Sequence, residues 1–399
     1  MNFKHLIDTV IADMHKNNGL APVDTGKFWR DQETSARDPF GADILQVPMH
    51  LTSTECVFDE LGIEEDYRKL TFPKFAQWRF DTFRQYNDKA EKIVGRRLLP
   101  EIDPAKDDPS IFWPPVKQLY DIFEAKNEWE GGAGGSWWLK QAAQGEPELS
   151  ALLDRVEKRI ENLRNFIFPD NWDEQKKRMF AAGHHVPQYR SQRGPCTFAT
   201  SIFGAEDLLL LYYDNEPLFR RFSDVIGRAI VALAETIDAE DDPEWIRSRT
   251  PCWSWADDNS CLFNTELYEA FAVPIHRRVF GRFAPDKKQS QRYQHSDSAM
   301  GHLLPLLAEF DLTGTNFGPT LTVSEIRQYC PHAVIHGQLA PFTLSRCEHA
   351  NIVAEFLRDF EQAKEKRGLL FTTAGSINNG TSLQSIRLVM SVIQHYGRY

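Results

Sequence analysis

The stretch Arg292-Tyr293-Gln294-His295-Ser296-Asp297-Ser298 decides how this chain is read, through the residues it pairs and the apolar segment it leads into. Strand side chains repeat every second residue, so a His-x-Asp pair closing a short strand puts both side chains on one face. Leu303, Leu304, Leu307 and Phe310 come next at helical spacing, which sets the pair where a strand hands over to a helix. In a barrel of alternating strands and helices, that end of the strand carries the chemistry. A buried histidine bonded to a neighbouring carboxylate for structural reasons is the competing reading.

Outward from this stretch the alternation continues. Short apolar runs at 180–188, 250–257, 291–297, 311–317, 333–339 and 368–373 read as strands. Between them, amphipathic spacing predicts helices at 264–280, 299–310, 322–329 and 348–366, another through Phe222, Ile226, Ile230, Leu233 and Ile237, and a last one through Leu383, Ile386, Val389 and Ile393. Two earlier runs, 44–51 and 94–102, complete about eight strand–helix units, although Pro48 suits a strand end or edge. The pattern predicts an α/β fold of the (β/α)8 TIM-type barrel, in one domain spanning 1–399. An N-terminal arm occupies 1–40 and an insertion about 103–178, where Leu149, Leu152, Leu153, Val156, Ile160, Leu163 and Ile167 share a helix face. No G-x-G-x-x-G follows a strand, which argues against a dinucleotide fold. The glycine run 131–135, flanked by Trp129, Trp137 and Trp138, lacks the ending of a phosphate loop and reads as a lid or a plain flexible loop.

With 42% hydrophobic and 26% charged residues, the composition is that of a globular protein in water. A net charge of −11 with no basic cluster argues against a nucleic-acid surface. No run reaches membrane-spanning length, and the start of the chain, with charges scattered through an amphipathic pattern, is unlike a secretory signal. The six cysteines, without a C-x-x-C pair, read as reduced thiols of a cytoplasmic protein.

If the barrel is right, the strand ends share one mouth. They would bring together Glu101, His184, His185, Asp257, Asp258, His295, Asp297, Asn316, His336, Gln338 and the Ala374-Gly375-Ser376 turn. So many carboxylates and imidazoles converging without a metal or a charged substrate would be costly. Asp257 is expected to face the mouth as an acid/base or cation anchor, while Asp258 or Asn259 caps the next helix. Tyr293 lies beside His295, and Arg190 and Arg193 offer positive charge for carbanion chemistry. His184, His185, Arg190, His336 and Gln338 are candidate substrate contacts. Trp253 and Trp255 either stack on substrate or pack the core.

On these residues the second half of the chain resembles the uroporphyrinogen decarboxylase superfamily. Gly194-Pro195-Cys196-Thr197-Phe198-Ala199 resembles that family's Gly-Pro-Phe-Thr-Leu-Ala segment. Asp257-Asp258 followed by Tyr268-Glu269-Ala270-Phe271-Ala272-Val273-Pro274 resembles its strand-then-helix pattern, and Gly337-Gln338-Leu339-Ala340-Pro341 its Gly-Asn-x-x-Pro turn. The likeness covers about 190–399 and implies a (β/α)8 barrel. The porphyrin decarboxylase's arginine-rich opening is missing: Phe28-Trp29-Arg30-Asp31-Gln32-Glu33 has one arginine amid acids, which argues against haem-pathway decarboxylation. The other branch holds zinc-dependent, corrinoid-linked methyltransferases and demethylases, with a His-x-Cys pair and a later cysteine as zinc ligands. Here Asp297 replaces the first cysteine, and no cysteine stands near Ala374. The resemblance therefore implies a divalent metal, zinc or a harder ion, held by His295 and Asp297 with Glu101 as third ligand. It implies methyl transfer or demethylation of a small molecule, with a corrinoid protein as partner. Two alternatives stay open: a metal-free decarboxylase or lyase, and a non-catalytic barrel subunit that docks a corrinoid protein. The oligomeric state is open, a homodimer being one option.

Overall fold

The computed structural model describes residues 3–43, 45–105 and 115–399. It forms two compact units: Met1–Pro104 with Gly131–Gly135 and Gly314–Tyr399, and Ala105–Glu130 with Ser136–Thr313. The expected insertion runs partly through 106–114, and the expected first strand begins at Ile44; both lie outside the described residues.

In the second unit, β1 (Asn127–Glu130) and β2 (Ser136–Leu139) pair in antiparallel fashion. The helix Gly145–Ile160 buries Leu149, Leu152, Leu153 and Val156, as its spacing predicts. Residues 180–188 are not the expected strand: the helix Trp172–Ala181 takes up the start, and irregular chain leads to the short β3 (Ser191–Arg193). β4 (Cys252–Ala256) and β5 (Gln291–Ser296) come after it, and the three pair in parallel in chain order.

Strand parity then sorts the side chains of this unit into two sets. Trp253 and Trp255, 0% and 1% exposed, pack beneath the helix Thr265–Phe283. Trp253 stacks on Phe283 at 5.2 Å and Trp255 meets His276 edge-on at 5.1 Å. Arg292, on the same side of β5, donates to the carbonyls of Ala284 and Phe310 and so ties off the end of that helix. Ser254, Ala256, Tyr293 and His295 are half-buried and face the other way. The register pairs Arg193 with Ala256 and Ala256 with His295, so these three share one row.

In the first unit, β6 (Gly314–Phe317), β7 (Val334–Leu339) and β8 (Leu369–Thr373) are parallel neighbours in that order. The expected strand 44–51 is reduced to a parallel bridge between Met49 and Phe371. There the His50 N–H donates to the Phe371 carbonyl at 3.0 Å and the Phe371 N–H to Pro48 at 2.7 Å. Pro48 has no N–H to give and serves only as acceptor, which keeps the pairing short. The expected strand 94–102 does not form. The helix Ala76–Val94 ends on Gly95 at φ +77°, and Asn87 of that helix reaches the segment that follows. Its Oδ1 accepts from the amides of Leu98 and Leu99, and its Nδ2 donates to the Leu99 carbonyl. One side chain thus takes the place of a neighbouring strand. The C-terminal helix Leu383–Tyr396 fastens the N-terminal arm, with Arg387 on the Ala21 carbonyl and Ser391 on that of Pro22. No helix among the described residues is long and apolar enough to cross a membrane.

Candidate active site

The loop after β4 is held by the helix Pro195–Phe203, whose first turn presents unpaired amides. Gly194, the residue before that helix, has no side chain to cap it, and Asp257 does so instead: its Oδ1 accepts from the Thr197 N–H at 2.7 Å. A Cβ on Gly194 would lie 2.1 Å from the Cβ of Asp257, so only glycine admits the carboxylate this close. The Asn259 N–H donates to Thr197 Oγ1 at 2.9 Å and its Nδ2 to Thr200 Oγ1 at 2.8 Å. Burial pushes the Asp257 carboxyl up to about 6, against the Thr197 hydrogen bonds that hold it down.

Asp258, one residue on, has the opposite parity and joins the face of His295. His295 Nε2 lies 3.5 Å from Asp258 Oδ1, which also accepts from the Asp297 N–H at 3.1 Å. Ser298 Oγ donates to the Asp258 carbonyl at 2.6 Å, so the ends of β4 and β5 are laced together. Asp258, His295 and Asp297 each offer one ligand atom, all within 4.8 Å of one another. Burial raises the Asp297 carboxyl, and the neighbouring Asp258 carboxylate raises it further, while His295 opposes both. Two carboxylates this close resist joint ionisation unless a proton or a cation lies between them. An imidazole with two carboxylates is a donor set that fits a divalent ion, harder than one built on thiolates.

Few of the other expected site residues share this face. Tyr293 shares the His295 face two residues back, and burial pushes its hydroxyl up to about 12. Asp257 does not face the mouth as expected; it is fully buried against the first turn of the helix Pro195–Phe203, and the helix after β4, Thr265–Phe283, is capped by Asn264 rather than by Asp258 or Asn259. Trp253 and Trp255 are core residues, because parity turns them away from His295. Arg190 pairs with Asp238 and lies over the Phe283 ring at 4.7 Å. His185 stacks on Trp245 at 4.0 Å and bonds Asp241 at 2.9 Å, while His184 is half-buried beside it. Glu101 accepts from Arg97 and Asn87, so its carboxylate is already engaged.

In the other unit, Gln338 donates to the carbonyls of Gly318 and Leu321, and Asn316 to those of His336 and Thr373. Burial lowers His336 to about 4, with the charge of His50 adding to the effect. Asp258 is the member of the group that the cap reading passed over. Counting two residues on from Ala256, in the row of His295, would have found it.

A methyltransferase from Methanosarcina mazei superposes on this chain with a TM-score of 0.53 over 92% of its length and 98% of the neighbour's. At 16% identity that is a likeness of fold. No curated protein matches the sequence. The model of the uroporphyrinogen decarboxylase (URO-D) family matches residues 177–396, more than half of the chain and all of the site loops of the second unit from the end of β3 onward. The chain belongs to the uroporphyrinogen decarboxylase family, whose fold is a TIM barrel.

Proposed function

We propose that this chain is a metal-assisted enzyme of the methyltransferase or demethylase kind, acting on a small molecule. The observation that carries the reading is the convergence of Asp258, His295 and Asp297 within 4.8 Å, with the Asp297 carboxyl raised by burial and by its neighbour. Asp258 takes the place expected of Glu101. A divalent ion bound there would supply Lewis-acid polarisation of a substrate heteroatom. The residues themselves do the rest. Ser298 and the Asp297 N–H hold Asp258 in place, and the Asp257 cap fixes the loop that carries it. Tyr293, protonated at neutral pH, presents a hydroxyl donor on the His295 face. The methyltransferase name of the structural neighbour is in keeping with this class, and a corrinoid-carrying protein would be the methyl-group partner.

Metal analysis of the purified protein tests the reading, with His295→Ala and Asp258→Asn alongside. About one divalent ion per chain is expected, lost in both variants. A parent that takes up no zinc, manganese or iron would sink the metal role. One observation favours a second reading, a metal-free decarboxylase or lyase: an Asp258–Asp297 pair sharing a proton is itself an acid/base device. Turnover that survives exhaustive chelation would select it.

A further inference from the structure

The row Arg193–Ala256–His295 crosses β3, β4 and β5 on the face that carries the proposed metal group. Neighbouring strands lie about 4.8 Å apart, so the outer two backbones of this row are about 10 Å apart. Between them stands Ala256, with a single methyl group. The row beneath holds Ser191, Ser254 and Tyr293. The register thus sets a guanidinium-bearing residue at one side of Ala256, an imidazole at the other and three hydroxyl-bearing residues in the row beneath. The parity of β3 supports this placement: Gln192, the residue before Arg193, turns to the Trp255 side, where it bonds the Tyr189 hydroxyl.

Arg193 differs from the other arginines of this region. Arg190 is paired with Asp238 and Arg292 is spent on carbonyls, whereas the Arg193 guanidinium has no hydrogen-bond, ion-pair or ring partner among the described residues. It is half-buried. A partly desolvated guanidinium without a counter-charge, in a chain of net charge −11, is matched by an anion that arrives with the substrate.

We infer that Arg193 is the specificity residue of this site and that the substrate carries a carboxylate, held by Arg193 while its reacting heteroatom reaches the Asp258–His295–Asp297 group. This rests on the metal-assisted reading. A monoanion is favoured over a phosphate, because one guanidinium faces the anion while Asp258 and Asp297 repel a second negative charge. The planar fork of arginine also matches a carboxylate with two parallel hydrogen bonds.

The test compares 3-mercaptopropionate with 3-mercapto-1-propanol by calorimetry, on zinc-loaded and zinc-free protein. Zinc takes a thiol readily, so the anchored end stays constant and only the charged end varies. The parent is expected to prefer the carboxylate at least tenfold. Arg193→Gln should bring the two ligands to parity with the alcohol's affinity and the zinc content unchanged, and Arg193→Lys should restore part of the preference. Equal binding of the two probes by the parent overturns the inference, as does a preference that survives Arg193→Gln. The zinc content of the parent, measured separately, reports on the metal reading alone. The carboxylate preference in zinc-free protein reports on Arg193 alone.

Discussion

Asp257→Asn isolates the buried carboxylate on which the loop geometry depends. An ordinary aspartate titrates near 3.8, and burial pushes Asp257 up to about 6. At about 1.4 kcal/mol per pH unit, that displacement makes about 3 kcal/mol of stability dependent on protonation. The folded chain holds this proton more tightly than the unfolded chain. The contribution is therefore full below pH 3.8 and is lost as pH rises through 6. Asparagine does not titrate, yet its carbonyl oxygen can still accept from the Thr197 N–H. The difference between parent and variant cancels the groups that they share. The parent should gain about 2 kcal/mol on the variant as pH falls from 7 to 4, most of the full span. At pH 7 the two should lie close together. The variant sheds a buried charge, but its amide N–H₂ falls where Oδ2 has no partner, at a cost of about 1–3 kcal/mol. Urea unfolding at pH 4, 5, 6 and 7, followed by tryptophan fluorescence, measures the difference. A parent-minus-variant stability that stays constant over this range would refute the burial argument.

Gly194→Ala should cost about 3 kcal/mol or more or prevent folding, since its Cβ would overlap Asp257; thermal melting and soluble yield check this. Glu240 is buried, which pushes its carboxyl up, but Arg164, Lys176 and Trp172 outweigh this and hold it down to about 2. Glu240→Gln should therefore lose about 2–3 kcal/mol at pH 7, and the deficit should shrink as pH falls from 4.5 towards 2, read by urea unfolding. Asp297→Cys puts a thiolate where the resemblance has one. It should bind zinc more tightly than the parent while native activity falls, and unchanged zinc affinity with a lowered melting temperature would count against the metal group.

The later strands were legible in the sequence because each is a short apolar run bounded by turn residues, and β4 to β8 fall within a few residues of the expected positions. The earlier runs misled for a local reason in each case. At 94–102 the amides of Leu98 and Leu99 and the Leu99 carbonyl are satisfied by Asn87, a side chain on the preceding helix, which no apolar pattern announces. At 180–188 the helix Trp172–Ala181 carries on into the apolar run, and the pairing residues lie further along at Ser191–Arg193. The segment 299–310 has helical spacing, but Leu304–Leu307 is the only α-helical turn, flanked by tighter turns at Gly301–Leu303 and Ala308–Phe310. Hydrophobic periodicity reports which residues face the core and says little about which hydrogen bonds hold them there.

The divided roles of Asp257 and Asp258 follow from the same physics that made them hard to tell apart. Both are aspartates directly after an apolar strand, and either could cap a helix or face a substrate. Period-two alternation separates them: 253, 255 and 257 turn towards the helices, while 254, 256 and 258 turn towards His295. The proposed site uses both. A carboxylate on the helix side anchors the loop by accepting from Thr197, and that anchoring sets the next residue beside His295 and Asp297. Their titration differs accordingly. Asp257 is raised by burial, with the charge of Asp258 its smallest influence, and hydrogen bonds to neutral groups pull against that rise. Asp297 is raised by burial together with a second carboxylate that it meets directly at the strand ends. Only the second kind of shift is relieved by a cation lying between the two groups. That contrast is why the proposed metal reading rests on Asp258, His295 and Asp297, and why the role proposed for Asp257, as strongly shifted as a catalytic acid, is to position them.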